Sequence, residues 1–370
     1  MRVLLTVPDL DLASGGLAAV AQQLAGALAG AGESVTLLYS VHPGSPRLPV
    51  PKGVFAVEVP REGSALTLWR RCRQTLAAAI VATRPAVLHD HGLWRPENAA
   101  AMGTAHDLGL PLVVQPCGML QHWPMAQRAL KKRLAWHGYQ KRLLAPAAAV
   151  VVTSAEEQRE TARWLPRQPP MVCIPHGVAA PAGAKPVVRQ RQAVFVGRLH
   201  PKKQVDVLLR SWSRLKPQGW QLCIAGTGEP VYERALRQLA DEGGAGEHIR
   251  FLGQVQGEAK NRLLAESQLF LQPSLQENFG LAVAEALAHG LPVLTTHEMP
   301  WAEVETLGCG WSVAASPEAI HAALAEALAL PAEQLAAMGE RAAPLAARYN
   351  WTETARQTIA LYERLRAHPA

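Results

Sequence analysis

Cysteine is scarce in this chain. Cys72, Cys117, Cys173, Cys223 and Cys309 are odd in number, widely scattered and never spaced as Cys-x-x-Cys. That excludes a disulfide framework and a thiolate zinc site, and it fits a reducing compartment. Long apolar runs are also lacking: no stretch approaches the roughly 18 uninterrupted apolar residues of a membrane-spanning helix. The apolar start ends at Asp9 and Asp11, too early for a signal peptide. The chain therefore reads as a soluble or peripheral protein of the cytoplasm. A dinucleotide fingerprint is missing as well, since neither Ser14-Gly15-Gly16 nor Gly226-Thr227-Gly228 completes G-x-G-x-x-G. A nicotinamide dehydrogenase is disfavoured accordingly.

What is present is apolar material and an uneven charge. Hydrophobic residues make up 49% of 370, enough for two or three cored domains and incompatible with wholesale disorder. The net charge of +7 lies entirely before residue 180, with 18 basic and 11 acidic residues there and 19 of each after it. An anionic partner is implied, met by the first half. Short β-branched runs alternate with Ala/Leu-rich helical segments, the α/β signature. The alternation restarts after Pro175–Pro186, which reads as a linker. The expected architecture is two Rossmann-like domains facing each other across a cleft, with ligands at the carboxyl ends of the strands. The expected boundaries are 1–178, 179–348 and a final helix within 349–370.

Three strings could carry chemistry. In Pro273–Leu287 a strand gives way to a polar loop and then a helix, with Glu277 on the loop and Glu285 on the helix. Carboxylates beside free helix N–H groups suit a ligand that bears hydroxyls and phosphates, although one such acid can simply complement the helix dipole. In Val194–Lys203, Arg198 and Lys203 follow a strand ending at Gly197 and could neutralise a diphosphate without a metal; they could equally be a solvated basic loop. In Leu88–Trp94, His89 and His91 should share one strand face with no third ligand in reach, so a metal site is not expected. His91, at the strand end, is the better candidate for touching substrate.

Together these strings resemble the retaining, nucleotide-sugar-dependent glycosyltransferases of family 4, which have the GT-B fold. The likeness is strongest over Phe195–Asp206 and Leu271–Trp311, where Glu277 to Glu285 matches the family's E-x7-E. The strings Leu294-Thr295-Thr296 through Pro300-Trp301, Gly308–Trp311, His91–Trp94 and Gly118-Met119-Leu120 are similar to a bacterial polysaccharide-assembly subgroup. The resemblance implies that Arg198 and Lys203 hold the donor diphosphate and that Glu277 bonds the transferred sugar. Asn278, Phe279, Gly280 and Leu281 would offer backbone N–H groups, Glu285 would bind the ribose, and the loop at Val255 would contact the base. Gly15 and Gly16 would close over the diphosphate, and His91 would lie near the reacting carbon. It implies transfer by front-side displacement to a lipid-linked or phosphorylated glycan, as in lipopolysaccharide assembly, with no cofactor or metal. The alternatives are a nucleotide-sugar epimerase of the same fold and a non-catalytic sugar-nucleotide-binding protein. The chain departs from the subgroup at Cys117, where Arg is usual and substrate contacts are affected. It also departs at Gln204 and His176, where Gly and Asn are usual; both changes are expected to be tolerated.

The basic segment Gln121–Arg142 carries Arg128, Lys131, Lys132 and Arg133 among interleaved aromatics and contains no acid. It suits docking on an anionic membrane surface, or it is a helix with its aromatics turned inward and its charges solvated. No recognition motif for nucleic acid accompanies the charge. One continuous helix is expected over Met125–Leu144.

Overall fold

The computed structural model describes residues 1–165, 169–179, 188–244 and 246–367. Most of the expected linker, 180–186, lies outside them. Two compact units result. The first is Met1–Gly177 completed by the final helix, Trp351–Ala367; the second is Val178–Asn350.

The first unit is built on a seven-stranded parallel sheet, ordered β3-β2-β1-β4-β5-β6-β7. Its strands are β1 (Arg2–Asp9), β2 (Ser34–Val41), β3 (Val54–Pro60), β4 (Val87–His91), β5 (Leu112–Gln115), β6 (Ala149–Val152) and β7 (Met171–Cys173). The central strands are buried almost throughout, so they are largely apolar, with polar residues toward the carboxyl ends of β4 and β5, where His89, Asp90, His91 and Gln115 stand. The two outer strands were not foreseen. β3 carries the apolar string Val54-Phe55-Ala56-Val57 but leaves it only partly buried at the sheet edge, and β7 has three residues, too short a run to stand out.

The helix Gly16–Gly30 turns Ala18, Ala21, Leu24, Ala25 and Leu28 inward. The final helix adds Ala355, Leu361 and Tyr362 to the same core. Gly177 sits where a Cβ would lie 2.5 Å from Trp351 N, so only glycine lets the chain pass there.

The second unit repeats the winding. Its parallel sheet is ordered β10-β9-β8-β11-β12-β13. The strands are β8 (Gln192–Val196), β9 (Gln221–Ala225), β10 (Ile249–Gly253), β11 (Leu269–Leu271), β12 (Val293–Thr296) and β13 (Gly310–Val313). Val178 belongs to this unit: its N–H bonds Tyr349 O at 2.9 Å and its side chain is buried in the unit's core. The α/β class with two Rossmann-like domains is therefore the observed one. In each sheet the order reverses once, between β1 and β4 and between β8 and β11. Those two switch points are where a doubly wound sheet leaves room for a ligand. No helix among the described residues is long and apolar enough to cross a membrane.

Candidate active site

In the second unit the switch point is shaped by two glycines. A Cβ on Gly226 would lie 1.8 Å from Gly197 O, and one on Gly228 would lie 2.0 Å from Leu199 O. Without side chains there, the segments beyond β8 and β9 stay paired: Gly197 N bonds Ala225 O and Leu199 N bonds Thr227 O, each at 2.9 Å. The Gly-Thr-Gly string thus serves backbone approach within the unit. It delivers Arg198 to the sheet's carboxyl edge, exposed and with no hydrogen-bond or ion-pair partner among the described residues.

The loops after β8 and β11 are stitched together. Leu275 N bonds Lys202 O and Gln204 Nε2 bonds Pro273 O, both at 2.8 Å. Gln204 stands at φ 52°, a left-handed position that explains why glycine is usual there, and its side-chain bond holds it in place. The stitching brings Lys203 Nζ to 2.5 Å from Glu277 Oε1. Burial raises the Glu277 pKa, but the ammonium groups of Lys203 and Lys202 and the hydrogen bonds from Lys203 and Ser274 outweigh it. The net shift is below the ordinary value, so the carboxylate is ionised. Burial lowers the Lys202 pKa, opposed by Glu277 and assisted by Lys203 and Arg198.

Behind the loop, Phe279, Trp301 and Tyr349 form a triangle of rings with centroids 5.2–5.5 Å apart. Phe279 is a core side chain, and its carbonyl accepts from Trp301 Nε1 at 2.5 Å. Gly280 caps the helix Leu281–Ala288 at φ 81°, where a Cβ would meet Met299 Cε at 2.9 Å. Asn278, Gly280 and Leu281 are half-buried along the same turn, as is Val255 in the loop after β10. Glu285 is joined to a residue that the sequence reading missed, Lys260, at 2.6 Å. No local pattern could have linked two helices 25 positions apart.

The switch point of the first unit is chemically different. Gly15, at φ 65°, caps the helix Gly16–Gly30, and a Cβ on Gly15 or Gly16 would meet nothing within 4 Å. His91 is fully buried, and its Nδ1 is 3.2 Å from Thr6 O. That carbonyl can only accept, so Nδ1 carries the proton; Nε2 is left without a partner among the described residues. His89 does share the face, stacked 4.4 Å from His91, and its Nδ1 meets Tyr362 Oη of the final helix at 2.7 Å. Burial pushes His91 down to about 4.

Asp90 lies between them, bonded by Thr6 and Asn98, and burial lifts it to about 8. Trp94 stands at φ 74°, and Gln140 Oε1 accepts its N–H at 3.3 Å; sequence reading missed this brace too. Cys117 is at φ 52°, and Glu157 Oε1 accepts the N–H of the next residue, Gly118. The string Asp9-Leu10-Asp11 at the end of β1 spells Asp-x-Asp, which corrects the expectation that the chain contains none. Asp9 there accepts from Ser14 and is ion-paired to Arg61 and Arg95.

The basic segment does not form one helix. Arg128 adopts φ 52°, and the chain runs His122–Ala126, Ala129–Ala135, a π turn Trp136–Gln140, then Lys141–Leu144. The break turns Trp136 and Gln140 into the core, and it leaves Leu130 at 74% and Leu134 at 67% exposure. Arg128, Lys131 and Arg133 are exposed beside them, while Lys132 is half-buried.

Residues 15–202 match the family described as "Glycosyl transferase 4-like domain", and residues 183–344 match "Glycosyl transferases group 1". The first match spans half of the chain, so the chain belongs to the glycosyltransferase 4-like family. A D-inositol 3-phosphate glycosyltransferase of Mycolicibacterium paratuberculosis is 33% identical over 176 residues, 46% of this chain and 39% of that protein. The chain thus spans about two fifths of that relative's length. Among solved structures, Anabaena Alr3699/HepE in complex with UDP and glucose is similar at TM-score 0.80 and 15% identity, covering 99% of this chain and 100% of that one. WaaG, a glycosyltransferase involved in lipopolysaccharide biosynthesis, is similar at TM-score 0.76 and 18% identity over 97% and 99%. At these identities the structural likeness is one of fold, the GT-B class.

Proposed function

We propose that this protein is a retaining glycosyltransferase that moves a sugar from a nucleoside-diphosphate sugar to a glycan acceptor of a bacterial surface polysaccharide. The observation that carries the reading is the cation cluster at the β8/β11 switch point. Arg198, Lys202 and Lys203 against a single ionised Glu277 leave two positive charges in excess. A sugar diphosphate diester brings two negative ones. The UDP held by Alr3699/HepE on the same fold supports a uridine donor. The involvement of WaaG in lipopolysaccharide biosynthesis supports a like role for this chain.

In this reading Arg198 and Lys203 take up the charge that grows on the leaving diphosphate, the role a bound cation would otherwise fill, so no metal is needed. Glu277 holds the transferred sugar and keeps Lys203 oriented. No carboxylate is assigned as a nucleophile. The acceptor hydroxyl attacks from the face the diphosphate leaves, and a leaving-group oxygen takes its proton. The Asn278–Leu281 turn supplies backbone donors and Glu285 the ribose contact. Val255 lies beside the base. In the first unit, which carries the charge excess, Gly15, Gly16 and His91 also go to substrate. The exposed Leu130 and Leu134, among Arg128, Lys131 and Arg133, are suited to peripheral docking on an anionic membrane at its cytoplasmic face.

The test is thermal unfolding against a panel of UDP- and GDP-sugars, followed by product analysis with and without acceptor glycan. A donor should raise the midpoint by mass action, and transfer should require acceptor. No stabilisation by any donor would refute the reading, and sugar conversion in donor alone would favour an epimerase.

A further inference from the structure

Both glutamates of the E-x7-E string are held by a lysine from another element. Lys203 meets Glu277 from the loop after β8. Lys260, on the helix Gly257–Glu266, reaches Glu285 on the helix Leu281–Ala288, Nζ to Oε1 at 2.6 Å. The second pair is partly shielded, its side chains 24% and 17% exposed, so it is screened less than a surface pair. Only one carboxylate oxygen is used; Oε2 of Glu285 has no hydrogen-bond partner among the described residues. Lys260 stands in the opening turns of the helix that follows the Val255 loop.

We propose that Lys260 is a positioning residue for the donor nucleotide. It fixes the rotamer of Glu285 so that the free oxygen faces the ribose hydroxyls. It also cancels a negative charge that would otherwise oppose the approaching diphosphate. The proposal rests on the donor reading above and assigns Lys260 no contact with the phosphates.

The experiment measures calorimetric binding of UDP and 2′-deoxy-UDP to the full chain. Wild type, Lys260→Gln, Lys260→Arg, Glu285→Gln and the Lys260→Gln/Glu285→Gln pair are compared, with GDP and 2′-deoxy-GDP as the alternative set. Lys260→Gln should weaken the ribonucleotide roughly tenfold, and Lys260→Arg should restore most of it. The loss should shrink to about twofold or less when the 2′-hydroxyl is absent or when Glu285 is already Gln, because the coupled partner is then gone. A merely structural lysine would lower the unfolding midpoint and weaken both nucleotides alike. Equal losses for both nucleotides, or wild-type affinity in Lys260→Gln, would overturn the proposal. Wild type binding neither UDP nor GDP would instead overturn the donor reading, and the proposal with it.

Discussion

The two switch points occupy the same place in two sheets of the same winding and are chemically opposite. At β8/β11, charges stand partly open to solvent: an ionised Glu277 on Lys203, an uncommitted Arg198, and Glu285 on Lys260. At β1/β4, the groups on β4 are buried and held neutral, His89 and His91 pushed down and Asp90 pushed up to about 8, and Asp9, the last residue of β1, is already ion-paired to Arg61 and Arg95. Topology therefore fixes where a site can form, while desolvation against local partners decides whether it works by charge or by directed hydrogen bonds. The cations that give the first unit its excess lie elsewhere, on the broken segment around Leu130 and Leu134.

The largest effect should come from the charged side. Lys203→Ala should cut turnover by roughly a hundredfold or more, the scale for removing a preorganised charge stabiliser. Near-normal kcat would erase the contrast. Next, Leu130→Ser combined with Leu134→Ser should reduce partition onto anionic vesicles by roughly tenfold while leaving turnover on soluble acceptor intact. Unchanged flotation of the protein with vesicles would remove membrane docking from the first unit.

A sharper comparison uses the same change in both sites. Asp90 has its folded pKa raised from 3.8 to about 8, so its contribution to stability is complete below 3.8 and is lost as pH rises toward 8. Asp90→Asn cannot ionise and should gain on wild type across that window, by at most about 1.4 kcal/mol per pH unit. Glu277 is shifted the other way from 4.5, so its contribution is present above 4.5 and is lost as pH falls through the folded value. Glu277→Gln should be less stable than wild type at neutral pH and converge with it in acid. Urea unfolding of both variants between pH 3 and 9 should give slopes of opposite sign. Parallel slopes would show that the two environments are not distinct.

The smallest effect is expected at Gln204. Glycine there relieves a left-handed backbone worth ~1–2 kcal/mol and loses one hydrogen bond worth ~1 kcal/mol. The midpoint of Gln204→Gly should therefore move by only a degree or two; a larger fall would make the Pro273 bond the stronger brace.

Much of this was legible in the sequence, and what was not has a common cause. The short apolar runs Leu112–Gln115 and Gln221–Ala225 are strands and the Ala/Leu-rich string Leu281–Ala288 is a helix, as the alternation along the sequence places them. Lys203 and Glu277 could be named because each ends or follows a buried strand in a recognisable string. Val54–Pro60 escaped although Val54-Phe55-Ala56-Val57 is apolar: it lies at the sheet edge, with Phe55 exposed, so no second strand beyond it repeats the pattern. The break at Arg128 escaped because nothing local forbids a helix there; the fold imposes it by drawing Trp136 and Gln140 inward. Lys260 and Gln140 act across the fold, on Glu285 and on the Trp94 backbone, and only tertiary structure assigns such partners.

The first unit is discontinuous: Ala355, Leu361 and Tyr362 complete a core begun at Val3, and Tyr362 closes onto His89. During translation, all of Val178–Asn350 is made before that helix exists. The earlier-made half therefore cannot complete its core until the last helix has been made. The unit begun first is thus the unit closed last.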